Sequence, residues 1–334
     1  MLIDRIWYTS WHPLSFLLRP LSWLFAALGT LRRALFRAGL KESVRLPVPV
    51  IVVGNITAGG TGKTPLTIYL AKSLQALGYH PGIISRGYGG KAEAPLCVSS
   101  ETDPRLSGDE PILLARASNV PVYVFKDRAA AGLALLAAHP EVDVLLCDDG
   151  LQHYRLQRDL ELCVVDGARG FGNGALIPAG PLREPVTRLG KLDAVIVNGA
   201  GLPVEHAHSF QMSLMPGDIY SLVGAAPTSW HGLRVAAVCG IGNPVRFFDS
   251  LKALDLVFTE HAFPDHHLFS ADDLPDADVI VVTEKDAVKL AALADVRIWV
   301  LPVSASLTPD LASWLSNKIT LIAQSLASRM QKNT

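Results

Sequence analysis

Eight consecutive residues, Thr57-Ala58-Gly59-Gly60-Thr61-Gly62-Lys63-Thr64, combine the backbone freedom and the side chains needed to hold a polyphosphate. Glycines let a loop turn successive backbone N–H groups inward onto phosphate oxygens. A helix starting directly behind the loop adds positive potential. Lys63 then reaches the β- and γ-phosphates, and the Thr64 hydroxyl ligates magnesium. The apolar run Val50–Val53 precedes the loop, and Pro65 suits the first helical turn, where its missing N–H is no loss. One departure from the G-x-x-x-x-G-K-[ST] pattern is present: Thr57 stands at the first glycine position.

Such a loop needs an acidic partner at the end of a neighbouring strand. Val142–Cys147 runs into Asp148-Asp149-Gly150, the Walker-B arrangement. Adjacent carboxylates there repel one another unless a cation neutralises them, so Thr64, Asp148 and Asp149 are the expected magnesium site. Guanine-reading proteins of this kind carry an Asn/Thr-Lys-x-Asp tetrad. The nearest string, Thr283-Glu284-Lys285-Asp286, has an extra residue before its lysine and reads instead as a strand-to-helix turn capped by Thr283. ATP with magnesium is the expected ligand.

The surrounding pattern supplies the elements to position this chemistry. Short continuous Val/Ile/Leu runs predict strands at Val48–Val53, Gly82–Ser85, Val120–Phe125, Val142–Cys147, Leu160–Val165 and Ala194–Asn198. Helices are expected at Pro65–Leu77, Asp109–Ala117 and Arg128–His139. Continuous rather than alternating apolar runs indicate strands buried on both faces, hence a P-loop NTPase-like, doubly wound, mostly parallel α/β lobe. A second pattern opens near Gly232, with strands at Val235–Val238, Leu256–Thr259, Val279–Val282 and Ile298–Leu301 and a final helix from about Pro309 to Ala327. The expected division is 1–45, an N-terminal amphipathic helix; 46–230, the P-loop core; and 231–334, a smaller α/β lobe. Gly240-x-Gly242 lacks the third glycine of a dinucleotide fingerprint and reads as a tight turn.

In residues 14–40, leucines recur every three or four positions, while Ser15, Arg19, Ser22, Arg33 and Arg37 fall mostly on the opposite face. Arg19 and Pro20 interrupt the stretch, which makes it short for a bilayer span, and no small-x-small cleavage site follows. Seven basic against two acidic side chains in residues 1–50, with Trp7, Trp11 and Trp23, suit a helix lying in a membrane interface. Packing on the protein's own core remains the other reading. Net charge −1 and pI near 6.8 favour no nucleic acid. The four scattered cysteines read as free thiols in a reducing compartment.

Six further strings occur in one order: Ser85-Arg86-Gly87-Tyr88-Gly89-Gly90, Gly108-Asp109-Glu110-Pro111, Lys126-Asp127-Arg128, Asp148-Asp149-Gly150-Leu151-Gln152-His153, Gly180-Pro181-Leu182-Arg183-Glu184-Pro185 and Phe263-Pro264-Asp265-His266-His267. Together with the P-loop and the basic N-terminus, they resemble the tetraacyldisaccharide 4'-kinase (lipid A 4'-kinase) family, from the N-terminal helix to at least Lys289. The resemblance implies a magnesium-dependent kinase at the cytoplasmic face of the inner membrane, peripheral or monotopic. Its acceptor is the 4'-hydroxyl of an acylated glucosamine disaccharide 1-phosphate and its product lipid IVA, and no protein partner is indicated. The family's catalytic Asp and His map onto Asp109 and His266, with His267 the adjacent alternative. Arg86, Arg128, Gln152 and Arg183 become candidates for holding substrate or stabilising charge, and Glu184 for the metal's outer shell. Two rivals remain: a soluble P-loop kinase of a polar metabolite, and a nucleotide-switched membrane-associated binding protein.

Overall fold

The computed structural model of the chain describes residues 2–224, 230 and 232–332. The strands in chain order are β1 (Val50–Gly54), β2 (Pro81–Ser85), β3 (Leu96–Val98), β4 (Val122–Val124), β5 (Val144–Asp148), β6 (Leu160–Asp166) and β7 (Ala194–Asn198). They continue with β8 (Ser209–Pro216), β9 (Tyr220–Ser221), β10 (Val235–Cys239), β11 (Thr259–Ala262), β12 (Val279–Thr283), β13 (Ile298–Leu301) and β14 (Val303–Thr308). The helices are α1 (Leu2–Tyr8), α2 (Pro13–Arg37), α3 (Lys63–Ala76), α4 (Pro104–Ser107), α5 (Asp109–Ser118) and α6 (Arg128–Ala138), followed by α7 (Pro244–Lys252), α8 (Glu284–Leu290) and α9 (Leu311–Lys332).

The large sheet runs β14-β8-β7-β6-β1-β5-β2-β4-β3. Its interior pairs are parallel, and the two edge pairs, β14 with β8 and β3 with β4, are antiparallel. Every residue of β1, β5 and β7 is buried, because helices and loops cover both faces and leave two apolar layers. The expected strands and helices of this lobe are all present, within about two residues at each end. Val53 pairs in register with Asp148, so the P-loop and the acidic strand end emerge side by side at the carboxyl edge, where open parallel sheets bind ligands. On α3, Leu66, Leu70 and Leu74 are fully buried, each contributing about 1.5–3 kcal/mol. Thr67 lies buried among them because its hydroxyl donates to Asp148 Oδ1 at 3.0 Å.

The smaller sheet runs β11-β10-β12-β13-β9, with its own apolar layer on each face. Its boundaries correct the expected division at 231. Strand β9, inside 46–230, pairs with β13 of the small sheet. Strand β14 returns from the small sheet to pair with β8, and Leu311, Leu315 and Ile319 of α9 join the large lobe's core. The expected strand Leu256–Thr259 falls at Thr259–Ala262 instead. Leu256 and Phe258 pack under the small sheet just ahead of it, so their apolar character reflects a buried approach segment.

Helix α2 is continuous through Pro20, and it is long and apolar enough by length and composition to cross a membrane; the expected interruption is absent. Its polar side faces the protein. Ser15 Oγ donates to Ala179 O at 2.8 Å and Ser22 Oγ to Leu176 O at 2.7 Å, while Arg33 meets the buried Glu184 at 3.2 Å. Leu17, Leu21, Trp23, Leu24, Leu28 and Leu31 point outward, each more than half exposed. Packing of the leucine stripe on the protein's own core is therefore not what this fold uses.

Candidate active site

The P-loop leaves β1 at Gly54, where any side chain would strike Leu151. Asn55 Nδ2 and Asn198 Nδ2 brace it by donating to Gly59 O and Thr61 O at 3.3 and 2.8 Å. Thr57 sits in an isolated antiparallel bridge with Leu182, and Ala58 N donates to Pro181 O at 2.7 Å. The residue at the first glycine position is thus occupied in fastening the loop to the 180–185 segment. Gly62 has φ +97°, and a Cβ there would lie 2.3 Å from Asn198 Nδ2, so this turn accepts only glycine. Lys63 opens α3 and reaches Asp149 Oδ1 at 3.5 Å, and Arg183 reaches Asp149 Oδ2 at 3.6 Å.

The two aspartates differ in state. Burial pushes the Asp148 carboxyl up to about 7, Glu110 adds to this, and Lys63 only partly opposes it. Its Oδ2 is buried with no hydrogen-bond partner. Asp149 is also raised by burial, but Lys63, Arg183 and Arg128 outweigh that and hold it below the usual carboxylate range. An orphaned buried oxygen beside a lysine-bearing glycine cradle fits a divalent cation. Magnesium takes most of its ligands from phosphates and water, so few protein oxygens are needed to hold it here.

Facing the loop across a cleft of about 500 Å³ is the small lobe. The Gly240–Asn243 turn approaches so closely that a Cβ on Gly242 would lie 2.8 Å from Gly60 N. The glycine pair noted in the sequence is therefore a tight turn whose second member allows backbone to meet backbone. At the same edge, His266 Nδ1 lies 3.2 Å from both carboxylate oxygens of Asp109. His266 adopts φ +60°, an uncommon conformation for a residue with a side chain and one that clusters at functional sites. His267 instead stacks on Phe263 at 4.6 Å and pairs with Asp273. Burial pushes Asp109 upward, but the His266 hydrogen bond and the Lys285 and Lys289 charges prevail and hold it below its usual range. The hydrogen bond to Asp109 raises His266, against burial and Lys285.

The remaining candidates separate. Arg183 lines the cleft. Arg86 lies in an adjoining cavity of about 280 Å³ with Tyr88 and Lys126. Arg128 is buried and donates to the Asp149 carbonyl at 3.0 Å, so it braces the acidic turn from behind. Gln152 donates to Asn55 O and to Glu184 Oε1 at 3.1 and 2.8 Å, a brace under the P-loop rather than a substrate contact. Glu184 is the clearest correction. Its carboxylate is buried and engaged by Gln152, Tyr154, Arg33 and Arg188, and it is not among the residues that line the cleft. Thr67, Asn198, Lys285 and Lys289 were missed. Lone polar residues inside apolar runs, and two lysines four apart on one helical face, were the available signals.

A phosphate cradle at a parallel sheet's carboxyl edge, with an acid–histidine pair across the cleft, defines a P-loop phosphotransferase. The chain belongs to the tetraacyldisaccharide-1-P 4'-kinase family, whose sequence model matches residues 14–320. It is 52% identical over 328 residues to the tetraacyldisaccharide 4'-kinase of Chromobacterium violaceum, covering 94% of this chain and 96% of that one. With that of Dechloromonas aromatica it shares 50% identity, covering 95% and 97%. The solved structure of LpxK from Aquifex aeolicus in complex with ATP superposes with TM-score 0.77 at 29% identity, covering 92% of this chain and 99% of that one.

Proposed function

We propose that the chain is an ATP- and magnesium-dependent kinase that transfers the γ-phosphate to the 4'-hydroxyl of a tetraacylated glucosamine disaccharide 1-phosphate, forming lipid IVA. The observation that carries the reading is the meeting of the P-loop and the Asp109–His266 pair across one cleft. Bound there, ATP supplies the γ-phosphoryl group, and magnesium offsets the charge on its oxygens. The chain's own groups divide the rest of the work. Lys63 and Arg183, both leaning on Asp149, are positive charges available to the transferring group. Asp109, held ionised, accepts the acceptor hydroxyl's proton, and His266 fixes the carboxylate by donating to it. The apolar end of the cleft, with Ile68, Leu214, Ile241, Phe247 and Leu301, suits a purine ring.

The lipid nature of the acceptor is supported by α2, which hydrogen-bonds through its serines and turns its leucines and Trp23 outward. A kinase of a polar metabolite has no use for such a face. The enzyme is accordingly held on the cytoplasmic surface of the inner membrane, next to its substrate.

Exchanging Leu17, Leu24 and Leu28 for Ser tests this. The variant is expected to leave anionic vesicles and to show a raised apparent KM for acceptor in vesicles. Turnover on detergent-dispersed acceptor and the thermal transition stay near wild type, because these side chains are 72%, 57% and 58% exposed. High salt alone weakens attachment only in part, since each basic residue near the surface contributes about 1 kcal/mol and the apolar face is not screened. A variant that keeps full vesicle binding and KM removes α2 from the account.

A further inference from the structure

The Thr283-Glu284-Lys285-Asp286 string forms the capped start of α8: Thr283 Oγ1 accepts from Asp286 N at 3.1 Å. The same turn also delivers two lysines to the Asp109–His266 pair. Lys289 Nζ lies 2.7 Å from Asp286 Oδ1 and 3.8 Å from Asp109 Oδ2. Asp286 is fully buried, and its other oxygen accepts from Gly240 N, in the turn that meets Gly60. Lys285 Nζ lies 3.0 Å from Glu110 Oε1, 3.2 Å from Asp265 Oδ1 and 3.4 Å from His266 Nε2.

A lysine ammonium has three donors and no acceptor, and here it meets three groups. Glu110 and Asp265 accept as carboxylates. His266 completes the set only if Nε2 presents its lone pair. A neutral imidazole carries one N–H, so the proton then resides on Nδ1, facing both oxygens of Asp109.

We propose that Lys285 is a positioning residue of the transfer reaction: its ammonium fixes the His266 ring in the Nδ1–H tautomer, and that ring in turn aims the Asp109 carboxylate at the acceptor hydroxyl. The proposal rests on the reading of Asp109 as the base and adds a third member to the pair, in the order lysine, histidine, aspartate. It also draws on both lobes. Lys285, Asp265 and His266 come from the small lobe, and Asp109 and Glu110 from α5 of the large one, so the relay is complete only across the cleft. The groups facing the imidazole are Asp109 from α5, Lys285 from α8, Asp265 from its own turn and the Tyr88 ring at 5.1 Å, with Glu110 behind Lys285 and Lys289 behind Asp109.

Lys285→Met keeps the aliphatic stem and removes the charge. The expected kcat falls about 10–100-fold, part of the ~10²–10⁴-fold that a positioned base supplies, with KM for ATP nearly unchanged. Loss of the ammonium raises the proton affinity of both Asp109 and His266, so the acidic limb of the kcat profile moves to higher pH whichever group it reports. Lys285→Arg restores the limb toward wild type. A raised KM for ATP with an unmoved limb makes Lys285 a phosphate ligand and overturns the proposal. Independently of any variant's folding, ¹⁵N-histidine spectra of the wild-type protein at pH 9, assigned against His266→Gln, are expected to show His266 with Nε2 unprotonated; an Nε2–H tautomer overturns it. Full activity in Asp109→Asn instead removes the base assignment while leaving the tautomer result standing, so the two failures are distinguishable.

Discussion

Lys63→Ala lowers turnover by ~10³-fold or more, the scale of removing a principal charge from a phosphoryl-transfer site. The side chain leaves the first residue of α3, where the helix N-terminus and the glycine cradle direct it at the phosphates, and its ammonium already sits 3.5 Å from Asp149 Oδ1. Removal therefore takes away transition-state charge and also leaves Asp149 with one fewer cation. Burial then acts on Asp149 with less opposition, and its pKa moves up. Steady-state turnover at saturating ATP and magnesium measures the effect. A near-normal rate there contradicts the P-loop assignment, and a loss confined to KM makes the interaction one of ground-state binding.

Asp109→Asn is expected to lower kcat by ~10²–10⁴-fold, the range of a positioned general base, while ATP affinity stays nearly unchanged. The amide keeps the shape and still accepts one hydrogen bond from His266, so folding is retained while proton acceptance is lost. His266→Ala combined with it should lose no more than the worse single variant, because the two act as a unit. Fully multiplicative losses show separate roles, and weakened ATP binding in Asp109→Asn moves this residue to the metal. Asp148→Asn and Asp149→Asn differ in kind: Asp148 Oδ2 and Asp149 Oδ1 are both buried without a hydrogen-bond partner, so loss of either carboxylate shifts the magnesium dependence.

The parts legible in the sequence are those where one physical demand dictates residue type. Strands β1, β5 and β7 are apolar throughout because both faces are covered, and Gly62 is glycine because its turn and Asn198 allow nothing else. Edge strands obey weaker demands. In β8, Phe210 and Met212 are buried and alternate with the exposed Gln211 and Ser213, a short period-2 signal of a strand with one face open. Strand β14 has no fully buried residue, so nothing local announces the chain's return to the large sheet.

Side-chain direction is the other blind spot. Arg183 and Glu184 are neighbours in a segment that bridges to the P-loop at Thr57–Leu182, and adjacent residues of extended chain point to opposite sides. Arg183 therefore reaches Asp149 while Glu184 turns back toward Arg33 and Arg188. Adjacency in sequence suggested a shared site; the backbone period separates them. For Lys285 the spacing to Lys289 marks a shared helical face but not what that face meets. Its partners Glu110, Asp265 and His266 lie up to 175 positions away, and no local pattern carries that information.

The most direct test of the account is transfer itself. The full chain is incubated with ATP labelled in the γ-phosphate, magnesium and tetraacyldisaccharide 1-phosphate in mixed micelles, and the lipid phase is chromatographed and its phosphorylation site mapped. The account predicts label in a lipid product, one per acceptor, at the 4'-position, with none in reactions containing Lys63→Ala or lacking acceptor. Label released only as inorganic phosphate, with the lipid unchanged, contradicts it and leaves a nucleotide-hydrolysing switch in its place.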